Sequence, residues 1–566
     1  MRLPEEGGME RRHQHTMKIA LAQLNLLVGD VPGNAARILD AIDEARSAGA
    51  GLVAFSELAL CGYPPEDLLF HAGLREDLAA GIRQVRDASR GIAVVIGYPH
   101  REDGRWFNAA ALFAEGRRLH LHRKNVLPNY RVFDERRYFA PGTDADCVDL
   151  DGLRLGLAVC EDVWEPEVPR RLADGGAQLI VVTNGSPYEL GKQPEREKLL
   201  ARRASETGLP FAYVNQVGGQ DELVFDGASC VIDGSGRTCV RAEAFAEGLW
   251  YCRLDVPGGE PARPRRGDLA AFMPEDEEVY RALVAGIRDY VRKSGFENVV
   301  LGLSGGIDSA LTLALAVDAL GADRVLAVMM PYRYTQPLSL EEAESQARGL
   351  GAQYEVLPIS GMVEAMRGTL ADLFAGLPQD VTEENIQSRC RGMLLMAISN
   401  KQGHLVLATG NKSEYAVGYA TLYGDMAGGF APLKDCTKTR VYRLARYRNT
   451  LSPAIPQRVI DRPPTAELRP GQLDSDSLPP YEVLDEVLDA LMLEDLSVKH
   501  IAERGFEPGV VRQVLDRVRR SEYKRRQAPP GVRVTQRAFG RDWRYPIVSG
   551  YRPSRPQPHS SLPGDA

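Results

Sequence analysis

Short apolar runs alternate with amphipathic stretches along most of the chain, and their periods predict two α/β blocks. Between residues 17 and 255, eight runs read as strands: KIALAQLN, GLVAFSE, IAVVIGYP, NAAALFAEG, LRLGLAVC, QLIVVTNGS, PFAYVNQ and ASCVIDGSG. Segments such as NAARILDAIDEARSAG and REKLLARRASETG separate them, with apolar residues near helical spacing. Several strands are apolar on both faces, as in sheets covered by helices or by a second sheet. The stretch RLDVPGGEPARPRRGDLAAFMPE is rich in Pro, Gly and charge and reads as a linker. A second block follows, in the order helix EDEEVYRALVAGIRDYVRKSG, strand NVVLGL, helix SALTLALAVDAL, strand DRVLAVMMP, helix LEEAESQARGL and strand QYEVLPI. That order predicts a doubly wound parallel sheet whose ligands sit at the strand C-termini.

Composition narrows the picture. A chain of 566 residues calls for two to four domains. We assign a disordered leader to 1–16, a first domain to 17–255, a linker to 256–275, a second domain to 276–547 and a disordered tail to 548–566. Net charge is −8, with both signs interspersed, which argues against a nucleic-acid partner. No apolar run reaches the ~18 residues of a membrane span, and the leader lacks the apolar core of a secretory signal. A cytoplasmic enzyme is expected. The eight cysteines form no CxxC pair and the histidines no HExxH, which disfavours a zinc site or a disulfide framework.

Three segments carry a first chemistry: FSELALCGYPPEDLL with Glu57, HRKNVLPNYRVFDERRYF with Lys124, and GLAVCEDVW with Cys160. Glu57 and Cys160 each follow an apolar run, so both project from strand ends. A thiol is mostly protonated at neutral pH; a carboxylate can take its proton, and an ammonium can stabilise thiolate and oxyanion. Taken singly, each residue reads as core cysteine or solvated surface. Together they resemble the nitrilase superfamily, whose Glu-Lys-Cys triad hydrolyses amides through a thioester. The resemblance implies an α-β-β-α sandwich over 17–255, with Glu57 as general base, Lys124 stabilising the tetrahedral intermediate and Cys160 as nucleophile. Glu135 matches a second glutamate beside the lysine. Similarity to the glutaminase branch implies that Tyr130, Ser186 and Lys192 recognise glutamine. Cys61 is a rival nucleophile, but Gly-Tyr-Pro-Pro follows it and it does not end a strand.

A second chemistry lies in SGGIDSA, set between the strand NVVLGL and an apolar helix. Such a glycine-bearing turn at a helix N-terminus exposes N–H groups to phosphate, although the GxxxxGK[ST] pattern is absent. The motif resembles the ATP-pyrophosphatase family, which implies ATP contacts at Gly302, Leu303, Ser304, Gly305, Gly306, Ile307, Asp308 and Ser309, and at Thr409. Asp308 suits an anion site only with a cation, so Mg²⁺ is expected on Asp308; an acidic residue favoured by the helix N-terminus is the alternative.

The segments NIQSRCRGMLLMAISN, LATGNKSEYAVGYATLYGDMAGGFAPLKDCTKTRVYRLARYRN, IPQRVIDRPPTAEL and YKRRQAPPGVRV are similar to the NAD synthetase branch. The resemblance implies that Asn385, Arg389, Glu414, Asp425, Lys434 and Lys524 bind deamido-NAD, that Glu414 joins Asp308 as a ligand of Mg²⁺, that glutamine and ATP are the other substrates, and that the chain forms a homo-oligomer. It further implies an internal ammonia tunnel. Ammonia must arrive unprotonated, which a glutaminase fused to the ammonia-using enzyme favours. Two other readings are an amidotransferase with another acceptor and a non-catalytic nucleotide-binding regulator. The 381–440 segments weigh against the first, and the intact triad and loop against the second.

Overall fold

The computed structural model describes residues 15–551, so the leader expected over 1–16 lies outside the described residues except for its last two positions, as does the tail beyond 551. The chain divides into two compact units, one ending at Met273 and the other starting at Pro274.

The first unit contains β1 (His15–Gln23), β2 (Leu52–Ala54), β3 (Ala93–Glu102), β4 (Arg105–Ala114), β5 (Arg117–Arg123), β6 (Cys147–Leu150), β7 (Leu153–Val159) and β8 (Leu179–Asn184). It continues with β9 (Phe211–Asn215), β10 (Val217–Gln220), β11 (Leu223–Asp226), β12 (Cys230–Ile232), β13 (Thr238–Arg241), β14 (Gly248–Val256) and β15 (Arg263–Pro264). One sheet has the order β15-β14-β1-β2-β3-β4-β5 and the other β13-β12-β9-β8-β7-β6; β10 and β11 form a hairpin. The alternation along each strand builds the layers. Ile19, Leu21, Val95 and Leu112 of the first sheet share a core with Leu155, Leu157, Val181 and Val214 of the second. Their neighbours Ala20, Ala22, Val94 and Ile96 turn to the helices Val31–Ser47 and Ala72–Ala88. On the far side, Ala158, Ile180 and Val182 meet Leu172, Leu200 and Ala204 of the helices Glu167–Asp174 and Lys192–Thr207. Both sheets are thus covered twice, the α-β-β-α sandwich the resemblance implies, and each fully buried Leu or Val contributes about 1.5–3 kcal/mol.

β1 starts at His15, three residues before the run KIALAQLN, because His15 and Thr16 pair with Val256 and Asp255. Within the segment read as a linker, Pro264 and Arg263 pair with Leu254 and Asp255 of β14.

The second unit has four parallel strands, β16 (Val299–Gly302), β17 (Val325–Met329), β18 (Gln353–Val356) and β19 (Leu405–Leu407), in the order β18-β17-β16-β19. The order reverses between β16 and β19, which opens a crevice at their C-terminal ends. Val300, Val328 and Val406 pack against the helix Val381–Gln402 through Ile386, Cys390 and Leu395. The helix Ile307–Leu320 packs against β16 and β17 and against the helices Glu275–Lys293 and Lys438–Leu451. A separate helical cluster gathers Val417, Leu484, Val487, Val511 and Val514.

Candidate active sites

Cys160 directly follows β7 and opens the 3₁₀ turn Cys160–Val163 with φ +42°, an uncommon value for a residue with a side chain. Glu57 lies three residues past β2, and Lys124 directly follows β5. All three are buried. Lys124 Nζ donates to Glu57 Oε1 and to Glu135 Oε1, both at 2.7 Å. Asn108 Nδ2 donates to Glu57 Oε1 at 2.6 Å, Gly185 N–H donates to Glu57 Oε2 at 2.8 Å, and Tyr63 Oη donates to Glu135 Oε1 at 3.1 Å. These donors offset the cost of burying two carboxylates around one ammonium.

The electrostatics follow from that count. Burial opposes the Lys124 charge, but Glu135 and Glu57 outweigh it and hold the ammonium well above its ordinary pKa. Burial lifts the Glu135 carboxyl against the pull of Lys124, with Glu57 adding to the rise. Burial, then the charge of Glu57, pushes the Cys160 thiol up, and Lys124 only partly counters them. Burial and the neighbouring carboxylate thus favour the thiol form of Cys160, whereas lysine alone would have favoured a thiolate. Burial pushes the Cys61 thiol up as well, and its Sγ donates only to backbone carbonyls.

The three residues expected to recognise glutamine have separate settings. Tyr130 is half-exposed and its hydroxyl donates to Glu161 Oε1 at 2.9 Å. Ser186 is buried; its Oγ accepts from Arg196 Nε at 3.0 Å, and Arg196 is itself paired to Asp226 at 2.8 Å. Lys192 starts a helix, pairs with Glu195 at 2.9 Å and lies 4.2 Å over the Trp164 ring. Glu161, next to the thiol, is a residue the sequence reading passed over. Burial raises its carboxyl, while the Tyr130 hydroxyl and the Lys124 and Lys192 charges lower it. Asn108 was also passed over, since within NAAALFAEG it reads as an ordinary strand residue.

In the second unit, a cavity of about 260 Å³ opens at the ends of β16 and β19. Gly302, Leu303, Ser304, Gly306, Ile307, Asp308, Ser309, Thr409, Glu414 and Asp425 line it. Gly305 does not; its φ is +77°, and a Cβ there would lie 2.4 Å from the Ser339 carbonyl oxygen. Ser309 Oγ donates to Gly306 O at 3.0 Å and accepts from Ser304 N–H at 3.2 Å, which closes the turn before the helix Ile307–Leu320.

Lys438, unassigned from sequence, lies among the carboxylates of this cavity. Its Nζ pairs with Asp308 and, at 3.2 Å, with Glu414 Oε1, and Asn411 Nδ2 donates to Asp308 Oδ1 at 2.8 Å. Burial pushes the Glu414 carboxyl up, to about 8, with Lys438 opposing and Asp308 and Asp474 adding to the rise. Asp308 and Glu414 thus converge on one cation. Two carboxylates fit Mg²⁺, which takes one or two from protein and the rest from phosphate and water. Among the described residues, no group of three or more His, Cys, Asp or Glu side chains is placed to hold a metal.

Asn385, Arg389, Lys434 and Lys524 do not line the cavity. Thr421 Oγ1 donates to Asn385 Oδ1 at 2.9 Å, Arg389 Nε donates to Leu422 O at 3.2 Å, and Lys524 Nζ donates to Gly418 O and Ala420 O at 2.8 and 2.6 Å. These three and Asp425, which accepts from Thr421 N–H at 2.6 Å, fasten the loop 418–425. Lys434 is buried, and its N–H donates to Ala431 O at 3.1 Å.

Comparison with known proteins assigns a family to each unit. The carbon-nitrogen hydrolase family model matches residues 18–264 and the NAD synthase family model residues 279–528. The glutamine-dependent NAD(+) synthetase of Acinetobacter baylyi is 47% identical over 95% of this chain and 99% of its own length. That of Xylella fastidiosa is 50% identical over 95% and 99%. The solved glutamine-dependent NAD+ synthetase of Acinetobacter baumannii, in complex with ADP, superposes with a TM-score of 0.77 at 44% identity, covering 95% of this chain and 99% of that one. One of Cytophaga hutchinsonii, 22% identical, shares the fold with a TM-score of 0.81 over 95% and 98%. Among the described residues no helix is long and apolar enough to cross a membrane. With a nitrilase-type glutaminase unit and an NAD synthase unit in one chain, this protein belongs to the glutamine-dependent NAD(+) synthetase family of ATP-dependent ligases.

Proposed function

We propose that Glu57, Lys124 and Cys160 release ammonia from glutamine, and that the 304–309 turn with Asp308, Glu414 and Lys438 activates deamido-NAD with ATP. The observation that carries the first half is the buried Lys124 ammonium shared by Glu57 and Glu135. Cys160 Sγ attacks the side-chain amide carbon of glutamine as Glu57 takes the thiol proton, and the Lys124 charge stabilises the oxyanion. Glu57 passes that proton to the leaving nitrogen, which departs as ammonia. Water, deprotonated by Glu57, then cleaves the thioester and gives glutamate. Glu161 supplies a negative charge for the α-ammonium of glutamine, and Ser186 and Lys192 suit its carboxylate.

In the second unit, the nicotinate carboxylate of deamido-NAD attacks the α-phosphorus of ATP and pyrophosphate leaves. Ammonia then displaces AMP from the acyl-adenylate, giving NAD. Backbone N–H groups of the turn and the start of the helix Ile307–Leu320 hold phosphate oxygens. Asp308 and Glu414 would hold Mg²⁺, which draws negative charge from the pyrophosphate. Lys438 pairs with both carboxylates in this structure; with a metal on them, its ammonium would be free to meet a phosphate oxygen. Asp425, facing the cavity, suits the deamido-NAD side of the site.

Exposed apolar residues support self-association. Leu373, Leu377, Val381, Met393 and Met396 are 38–73% exposed on and just before the helix Val381–Gln402.

Asp308→Ala tests the synthetase half. It is expected to abolish NAD formation with either glutamine or ammonia, read by mass detection of NAD and AMP, and full ammonia-driven activity would refute the loop assignment.

A further inference from the structure

Glu57 and Lys124 leave strands of one sheet, whereas Cys160 leaves a strand of the other. The placement of the ammonium against the thiol therefore depends on what fastens the two sheets at that end. Asp162, two residues past Cys160 and completely buried, stands at this junction. Its Oδ1 accepts from the backbone N–H groups of Asn125 and Val126, each at 2.9 Å, which are the residues directly after Lys124. Its Oδ2 accepts from Val159 N–H, directly before Cys160, at 3.0 Å. His122 Nε2 lies 2.8 Å from the same oxygen. That nitrogen can meet a carboxylate only by donating, so the contact fixes both ring orientation and tautomer. His122 is buried two residues before Lys124, and its Nδ1 has no hydrogen-bond partner among the described residues.

One carboxylate thus collects four donors, one from the nucleophile's own turn and three from the lysine's strand and its exit. A residue that only capped its turn would need the Val159 bond alone. The other three reach 36–40 residues back along the chain, into the opposite sheet. The Lys124 backbone is held as well, since its N–H donates to Asn108 O and its carbonyl accepts from Gly142 N–H, both at 2.8 Å.

We propose that Asp162, with His122 behind it, is a positioning residue of the glutaminase reaction that sets the Lys124 ammonium against the Cys160 thiol across the two sheets. It acts through the backbone of its neighbours, not on the substrate. The inference rests on the triad chemistry proposed above, which Cys160→Ala tests separately: glutamine-driven synthesis surviving in that variant removes the triad reading whatever Asp162 does.

Asp162→Asn keeps the volume but loses one charge and one acceptor oxygen. In the full chain it is expected to lower glutamine-driven kcat on the order of ten- to a hundredfold, the scale of a small misplacement of reacting groups. The glutamine KM is expected to stay within about threefold, and ammonia-driven synthesis to stay unchanged. The pH profile of Cys160 alkylation by iodoacetamide, followed by mass spectrometry, is expected to move to higher pH because the lysine charge no longer meets the thiolate. An unchanged kcat, or a lowered kcat with the parent alkylation profile, overturns the proposal. If Asp162→Asn gives no folded glutaminase unit, His122→Phe removes one donor of the four. It is then expected to lower kcat in the same way, with His122→Gln, which keeps a donor, restoring most of it; equal activity in both variants and the parent overturns the proposal.

Discussion

At Glu414 the balance of burial against charge has a measurable consequence. Its carboxyl is pushed up to about 8, first by burial and then by Asp308 and Asp474, with Lys438 opposing. A cation binds the anionic form, so at lower pH a proton must leave before Mg²⁺ can bind. The Mg²⁺ concentration giving half-maximal ammonia-driven synthesis is therefore expected to fall as pH rises, by up to about tenfold per unit below about pH 8, and then to level off. Titrations at several pH values check this, and Glu414→Gln is expected to flatten the dependence. Single residues were also where the sequence was hardest to read. Lys438 and Asp162 stand inside segments that carried the family resemblance, yet their importance comes from partners 130 and 36–40 residues away, which no local spacing reveals.

Among elements, the strands that were legible are those apolar on both faces, because burial between layers demands that composition. Each of the eight runs read as strands in the first unit overlaps one. β5 was missed: RRLHLHR is an edge strand, open along one side, so its charged positions are tolerated and mask the alternation. β10, β11, β13 and β15 are only two to four residues long, too short to show a period. The phosphate turn was legible because strand, glycines and apolar helix occur in immediate succession. Gly305 illustrates its constraint. Gly305→Ala is expected to cost about 1–3 kcal/mol in the stability of the second unit, since alanine must take a positive φ. The clash with Ser339 would also shift the turn and lower ammonia-driven synthesis on the order of a hundredfold. Thermal unfolding and steady-state rates read the two effects separately.

On the scale of the whole molecule, the sequence pattern pointed to two α/β blocks because each chemistry brings its own run of strands. It could not supply the exposed apolar residues around the helix Val381–Gln402, whose apolar residues are spread around its circumference and do not show from sequence which ones face solvent. If these residues join copies of the chain, Met393→Glu is expected to give a smaller species by sedimentation at micromolar concentration, and an unchanged mass would exclude that face as the interface. The central claim is a division of labour: nitrogen is released at Cys160 in one unit and used at the phosphate turn in the other. The most direct test is Cys160→Ala supplied with ATP, Mg²⁺ and deamido-NAD, and with glutamine or ammonia in turn, NAD and AMP being detected by mass. The account predicts no NAD from glutamine and undiminished NAD from ammonia, whereas NAD from glutamine in this variant, or loss of synthesis from both sources, would contradict it.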